Sequence, residues 1–213
     1  MKTILFALFV AASLPAFAAE RAINESVVVK APIEKVWEAW TTSAGIKTFF
    51  APDANIEARV DGPFQVYINP LGAPGAKGAD DMVVLALQPP TMLSFTWNAP
   101  PHLAEVRKQR TYVTVRLAPQ GEGETLVTLY HGGWGTGAEW DQAYAYFTKA
   151  WPNVLKNLQK SFVDGPYDWT AWMEQLRKMQ EKKQRLRSRN CGGNDNRGAS
   201  ARTQDVSGWR WPS

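Results

Sequence analysis

From Trp140 to Phe162 large apolar residues step along the chain by three or four: Trp140, Tyr144, Phe147, Trp151, Val154, Leu158 and Phe162. That spacing draws one broad apolar stripe along a long helix, and such a stripe has to be buried against another element. The material available to bury it lies upstream and reads as strands. Six segments follow one another at Ala54–Val60, Phe64–Ile68, Asp81–Leu87, Met92–Asn98, Thr111–Ala118 and Glu124–His131. Turn residues punctuate them, among them Asp61-Gly62, Pro89-Pro90, Pro100-Pro101 and Gly132-Gly133, which argues an antiparallel meander. A first strand is expected over Ile23–Lys30. Pro32 then suits the first position of a helix, where its missing N–H would be unpaired anyway. Ile33, Val36, Trp37 and Trp40 share one face of that helix. A shorter helical turn runs towards Phe49 and Phe50.

The order is strand, helix, six strands, long helix. An antiparallel sheet that buries one face needs a cover, and the C-terminal helix is the element long enough to supply it. The expected fold is α+β, with a curved antiparallel sheet of about seven strands wrapped around that helix. The space between sheet and helix is the natural place for a ligand. Pro152 is expected to kink the helix, because it removes one hydrogen bond and crowds the preceding turn. Asp164-Gly165-Pro166 closes the domain, whose bounds are residues 23–165. Trp169, Trp172, Met173, Leu176 and Met179 predict an additional amphipathic basic helix over 166–188. Residues 189–213 are polar and rich in Gly, Asn and Ser, and are expected to be disordered.

The opposite end reads as a signal peptide over residues 1–18. Lys2 gives a positive start, Ile4 to Leu14 is apolar apart from Ser13, and Ala16-Phe17-Ala18 forms a cleavage site. The apolar run is shorter than the roughly 20 residues that span a bilayer. The expected location is therefore periplasmic or secreted, after cleavage near Ala18. Cys191 is the single cysteine, so no disulfide can form within the chain. The net charge of +4 is misleading. From Arg177 onward ten Lys and Arg face three Asp and Glu, which leaves 14 against 17 in the rest. A net-acidic body excludes the basic-domain argument for nucleic-acid binding. The basic helix would contact anionic lipid at a membrane surface in one reading, and is a solvated helix end in the plainer one.

Catalytic motifs are missing. Two histidines, His102 and His131, with no Cys/His cluster do not compose a metal site. Gly132-Gly133-Trp134-Gly135-Thr136-Gly137 lacks the lysine of a phosphate loop and the spacing of a dinucleotide fingerprint. No G-x-S-x-G elbow occurs. Asp53, Glu57, Asp80 and Asp81 are candidate bases, more simply read as exposed carboxylates at strand ends. No catalytic residue, metal or cofactor is assigned. Arg59 and Arg116 would hold an acidic ligand only if they pointed inward.

The aromatics lead further, for ten of the 213 residues are Trp. Phe95 and Trp97 share one face of a strand. Tyr112 and Tyr130 lie on other strands, and Phe50 on the short helix. Trp134, Tyr144, Phe147 and Trp151 come from the last turn and the long helix. These nine are the candidate ligand-binding residues. Their alternative role is to fill a solid core.

Three stretches carry a resemblance. They are Ala31-Pro32-Ile33-Glu34-Lys35-Val36-Trp37, then Pro89-Pro90-Thr91-Met92-Leu93-Ser94-Phe95-Thr96-Trp97, then Thr125-Leu126-Val127-Thr128-Leu129-Tyr130-His131-Gly132-Gly133-Trp134 with the helix ending Trp151-Pro152-Asn153-Val154-Leu155-Lys156-Asn157-Leu158. With them the chain resembles the START-like (SRPBCC) superfamily, in the branch of bacterial homologues of the heat-shock-protein ATPase activator. The resemblance covers roughly residues 23–165 and implies the helix-grip fold. The family commonly has Gly-Gly where Asp61-Gly62 stands, and often Trp-Phe where Phe49-Phe50 stands. The expected function is non-catalytic binding of a small hydrophobic molecule between sheet and helix. A cavity enzyme of cyclase or hydrolase type, and a stress-related accessory protein with a filled core, are the alternatives. The ligand and the oligomeric state are not legible.

Overall fold

The computed structural model describes residues 20–191. Strand β1 (Ile23–Val29) leads into helices α1 (Ile33–Thr41) and α2 (Ser43–Phe49). Pro32 stands just before α1 as its cap, one residue earlier than its φ preference suggested. The Thr42 hydroxyl accepts a hydrogen bond from the Gly45 N–H and starts α2. The meander follows as β2 (Asp53–Ile56), β3 (Phe64–Tyr67), β4 (Val84–Gln88), β5 (Met92–Trp97), β6 (Thr111–Pro119) and β7 (Thr125–Gly132). A short helix, α3 (Ala104–Arg107), interrupts it, and α4 (Ala138–Ser161) and α5 (Thr170–Cys191) complete the described residues.

The seven expected strands are present, divided five and two. The main antiparallel sheet has the order β1-β7-β6-β5-β4, so the first strand closes against the last. β2 and β3 form a separate hairpin. Isolated bridges, Pro63 with Val83 and Val66 with Ala79, stitch it to the run before β4. The turn at Asp61-Gly62 is where the expected and observed strands differ most. Asp61 has φ 60°, and a Cβ on Gly62 would lie 2.4 Å from the Glu57 carbonyl oxygen. The backbone therefore folds tightly over residues 57–62, and β2 ends at Ile56 rather than Val60.

Alternation along β6 and β7 sends Val113, Val115, Val127, Leu129 and His131 into the interior. Helix α4 answers with Phe147, Ala150, Trp151, Val154 and Leu158, all buried. It packs on β1 and α2, and it continues through Pro152, which faces solvent. Full burial of one such large apolar side chain contributes about 1.5–3 kcal/mol, so this single face is a main source of stability. A smaller cluster of Leu103, Val106, Trp140 and Ala143 joins α3 to the start of α4. There Glu139 accepts hydrogen bonds from the Glu105 and Val106 N–H groups and caps α3.

Helix α5 adds Trp172 and Leu176 to the main core. Its indoles tie it down: Trp172 Nε1 donates to the Ile68 carbonyl and Trp169 Nε1 to that of Lys47, each at 2.7 Å. Gln180 donates to the Leu71 carbonyl. The predicted signal peptide and all but the first three residues of the predicted tail lie outside the described residues. No helix among the described residues is long and apolar enough to cross a membrane.

Candidate functional site

The space between sheet and α4 is occupied by aromatic rings. Phe50, at the end of α2, stacks on Trp97 of β5 with ring centroids 5.7 Å apart, and meets Trp151 of α4 edge-on at 5.8 Å. Trp97 lies 5.5 Å from Trp151 and 5.6 Å from Phe95. Phe147 stacks over Trp151 at 6.0 Å. Such offset and edge-to-face contacts add about 0.5–1.5 kcal/mol per pair beyond area burial. Five of the nine candidates, Phe50, Phe95, Trp97, Phe147 and Trp151, are thus one packed cluster.

Trp134 and Tyr144 sit at one end of it, half-buried, with centroids 5.2 Å apart. The Tyr144 hydroxyl donates to the Ala22 carbonyl, and the Arg21 guanidinium lies 3.9 Å over its ring. Tyr112 and Tyr130 do not join the site. Tyr112 pairs across the sheet with Thr96 and Tyr130 with Thr114, so both point away from Trp97, and their rings stack on the outer face at 5.9 Å. A period of two decides this: Trp97 pairs with Thr111, which puts the next residue on the opposite side. The Tyr112 hydroxyl is pushed up to about 12, chiefly by its hydrogen bond with Tyr130.

The sequence singled out His131 without assigning it a role. It is fully buried at the centre of a polar relay. Trp151 Nε1 donates to His131 Nδ1 at 2.9 Å, and His131 Nε2 lies 2.8 Å from Thr111 Oγ1. Because Nδ1 accepts, the proton of the neutral ring is on Nε2 and donates to Thr111. Thr111 in turn donates to the Trp97 carbonyl, and Trp134 Nε1 donates to the carbonyl of His131. Burial pushes the imidazole down to about 3. Both ring nitrogens are committed, so the imidazole holds the Trp151 indole and, through Thr111, the Trp97 backbone, and is not poised for proton transfer.

One narrow cleft reaches the aromatic cluster. It has a volume of about 30 Å³ and opens between Ala99-Pro100-Pro101, the Ile68 and Gly78-Ala79 backbone, and Tyr146 and Phe147 of α4, with Trp97 lining it. Space of this size holds about one water, whose share of the liquid is ~30 Å³. Trp97 is buried, yet its Nε1 has no hydrogen-bond partner among the described residues. An indole donor enclosed in this way costs about 1–3 kcal/mol and is an open point of attachment for an acceptor.

Arg107 and Asp80 brace the cleft wall. Their ion pair, 3.2 Å long, has side chains only 13% and 11% exposed. Asp80 also accepts from the Gly75, Lys77 and Gly78 N–H groups, while Arg107 donates to the carbonyls of Ala99, Gly75 and Gly78. Burial lowers the Arg107 pKa and Asp80 offsets part of that. Asp80 is therefore not the exposed strand-end carboxylate its position suggested, because a loop that turns back on itself needs an internal acceptor. Glu57, Arg59 and Arg116 are exposed, and Glu57 and Arg59 pair with each other. Among the described residues no three His, Cys, Asp or Glu side chains gather as a metal site.

Residues 30–162 match the model of the family described as activator of Hsp90 ATPase homolog 1-like protein. The chain belongs to this family. Its fold is that of solved relatives. A Mesorhizobium loti protein, MLL2253, is 26% identical with a TM-score of 0.54, over 68% of this chain and 97% of that one. The Aha1 dimer from Colwellia psychrerythraea is 23% identical with a TM-score of 0.53, over 68% and 98%. CalU16 from Micromonospora echinospora is 22% identical with a TM-score of 0.51, over 76% and 84%. No curated protein matches the chain. The family match ends at residue 162, so α5, with Trp172 and Leu176 in the core, lies outside the matched span.

Proposed function

We propose that this is an exported helix-grip protein that binds a small hydrophobic molecule without catalysis, between the sheet and α4. The observation that carries the reading is the cleft at Trp97. It is walled by Pro100, Pro101, Tyr146, Phe147 and Trp97, whose buried indole N–H has no partner among the described residues. A ligand with one acceptor oxygen on an apolar body satisfies that donor and stacks on the surrounding rings. Ligand pockets are commonly about 300–1,000 Å³. Entry therefore goes with displacement of the Pro100-Pro101 segment or of Tyr146. Export rests on the signal-peptide pattern of residues 1–18.

A second reading has its own support. The rings of Phe50, Trp97 and Trp151 pack against one another and nearly fill the interior. This favours an accessory protein whose core has no ligand. The enzyme reading has no such support, since His131 is sequestered and Asp80 is paired.

Native mass spectrometry on protein recovered from its host's exported fraction, without detergent, separates the readings. The binding reading expects a chain starting just after Ala18 with an added mass that is lost on denaturation. A bare chain that also takes up no apolar probe supports the accessory reading. An intact Met1 in the cytosolic fraction sinks the export claim.

A further inference from the structure

A second recess lies elsewhere on the molecule and shares no residue with the cleft at Trp97. It has a volume of about 270 Å³, the share of roughly nine liquid waters at ~30 Å³ each. One wall is the last two turns of α4, where Asn153, Lys156, Asn157 and Lys160 recur at helical spacing and so share a face. The other wall is the returning segment Asp164-Gly165-Pro166-Tyr167. That segment is anchored: the Tyr167 N–H donates to the Thr48 carbonyl at 2.8 Å, and the Tyr167 ring lies 4.3 Å from that of Trp169. The recess therefore has fixed sides, one inside the span that matches the family and one beyond it.

Of the polar side chains on the α4 wall, Asn153 donates to the Lys149 carbonyl and Ser161 to that of Leu158, while Lys156, Asn157 and Lys160 are uncommitted among the described residues. Asn157 is 8% exposed, and its amide nitrogen is enclosed without a hydrogen-bond partner among the described residues. Most buried side-chain donors are paired, so an unpaired one lining a recess calls for an acceptor. Lys156 and Lys160 are exposed, and neither is in an ion pair among the described residues. Pro166 and Tyr167 supply an apolar side. One carboxylate, Asp164, also lines the recess, and the α4 C-terminus contributes partial negative charge. These tolerate one anionic group beside two lysines and disfavour a polyanion.

We propose that this recess binds a small organic acid. Its single anionic group, a carboxylate or a phosphomonoester, lies between Lys156 and Lys160 and accepts from Asn157. Its apolar body rests on Pro166 and Tyr167, and a hydroxyl on that body donates to Asp164.

The test is a titration of the full chain, ¹⁵N-labelled, with 4-hydroxybenzoate, phenyl phosphate and uncharged benzyl alcohol. The expected result is saturable shifts at the Asn157 side-chain amide and the backbone amides of residues 156–167. Either acid should bind with a Kd of about 1 mM or tighter, and benzyl alcohol should not bind. Tighter binding of phenyl phosphate assigns a phosphate ligand, and tighter binding of 4-hydroxybenzoate a carboxylate. The double substitution Lys156→Gln with Lys160→Gln alters exposed side chains, so the fold survives it, and it should weaken either acid at least about tenfold. Asn157→Asp, which places a like charge in the recess, should abolish binding. The proposal is overturned by scattered or non-saturating shifts, by equal binding of benzyl alcohol, or by unchanged affinity in the double-lysine variant.

Discussion

Replacing Trp97 by Ala and, separately, by Phe asks what the aromatic interior is. The indole is 4% exposed and is enclosed by Phe50, Phe95 and Trp151, all with centroids within 5.7 Å. An aromatic side chain buries about 150–250 Å², which at ~25 cal/mol/Å² is roughly 4–6 kcal/mol as an upper bound. Partial collapse of the site brings Trp97→Ala to about 3–5 kcal/mol. Trp97→Phe keeps most of the ring stacking and removes the unpartnered N–H. The penalty of about 1–3 kcal/mol for that donor offsets much of the lost volume, so the net cost stays under about 2 kcal/mol. Urea denaturation monitored by far-ultraviolet circular dichroism reads both values. In the Ala variant, added indole should raise the midpoint by mass action, because an apolar cavity of matching shape has been cut. A Trp97→Ala protein as stable as the parent refutes the packed cluster and makes Trp97 a wall of open space. A Phe variant as damaged as the Ala variant refutes the claim that the N–H is a liability.

Acid should unfold the protein partly through His131. Its folded value of about 3 lies below the ordinary 6.5, so the unfolded chain binds a proton that the folded chain refuses. The contribution is complete above pH 6.5 and is lost as pH falls towards 3, at about 1.4 kcal/mol per pH unit. His131→Gln should flatten that part of the stability profile, and an unchanged slope rules His131 out as its source. Asp80→Asn should cost about 3 kcal/mol, the low end for breaking a buried pair, since Arg107 keeps its three carbonyl partners. Hydrogen exchange should accelerate over residues 75–80, and protection equal to the parent's would contradict the brace. Trp172→Ala should destabilise by about 3–5 kcal/mol through lost burial and the lost bond to Ile68. A change below about 0.5 kcal/mol would mean that α5 is merely laid on the surface.

The fold was legible because its signals are periodic. The three-to-four spacing from Trp140 to Phe162 and the turn residues between the strands each admit few structures. Together they give a long helix on an antiparallel meander. The site was legible only as a composition of aromatics. Tyr112 and Tyr130 look like Phe95 and Trp97 until strand register is known, and register comes from long-range pairing that no local window contains. Asp80 and Arg107 lie 27 residues apart, and nothing local marks their pairing. Tyr146 was passed over because it is one residue off the apolar stripe. It packs against the core beside Phe147, and both line the cleft.

The relay around His131 explains why an aromatic interior can be this full and still keep a defined shape. Rings pack through weakly directional contacts, so a cluster of Phe and Trp alone has several arrangements of similar energy. Here Trp151 is held by its bond to His131 Nδ1, Trp134 by the His131 carbonyl, and Trp97 by Thr111 through its own carbonyl. The anchors converge on one residue at the end of β7: Trp151 and, through Thr111, the Trp97 backbone on the neutral His131 imidazole, and Trp134 on the His131 backbone carbonyl. Trp97 Nε1 is outside this relay, which holds only the Trp97 backbone, and Trp97 also lines the cleft. The interior is thus pinned on the side of β7 and α4 and left with one unmet donor at Trp97, a residue of the cleft wall. An acceptor that reaches Trp97 meets an indole already packed among Phe50, Phe95 and Trp151, so the hydrogen bond costs little side-chain ordering.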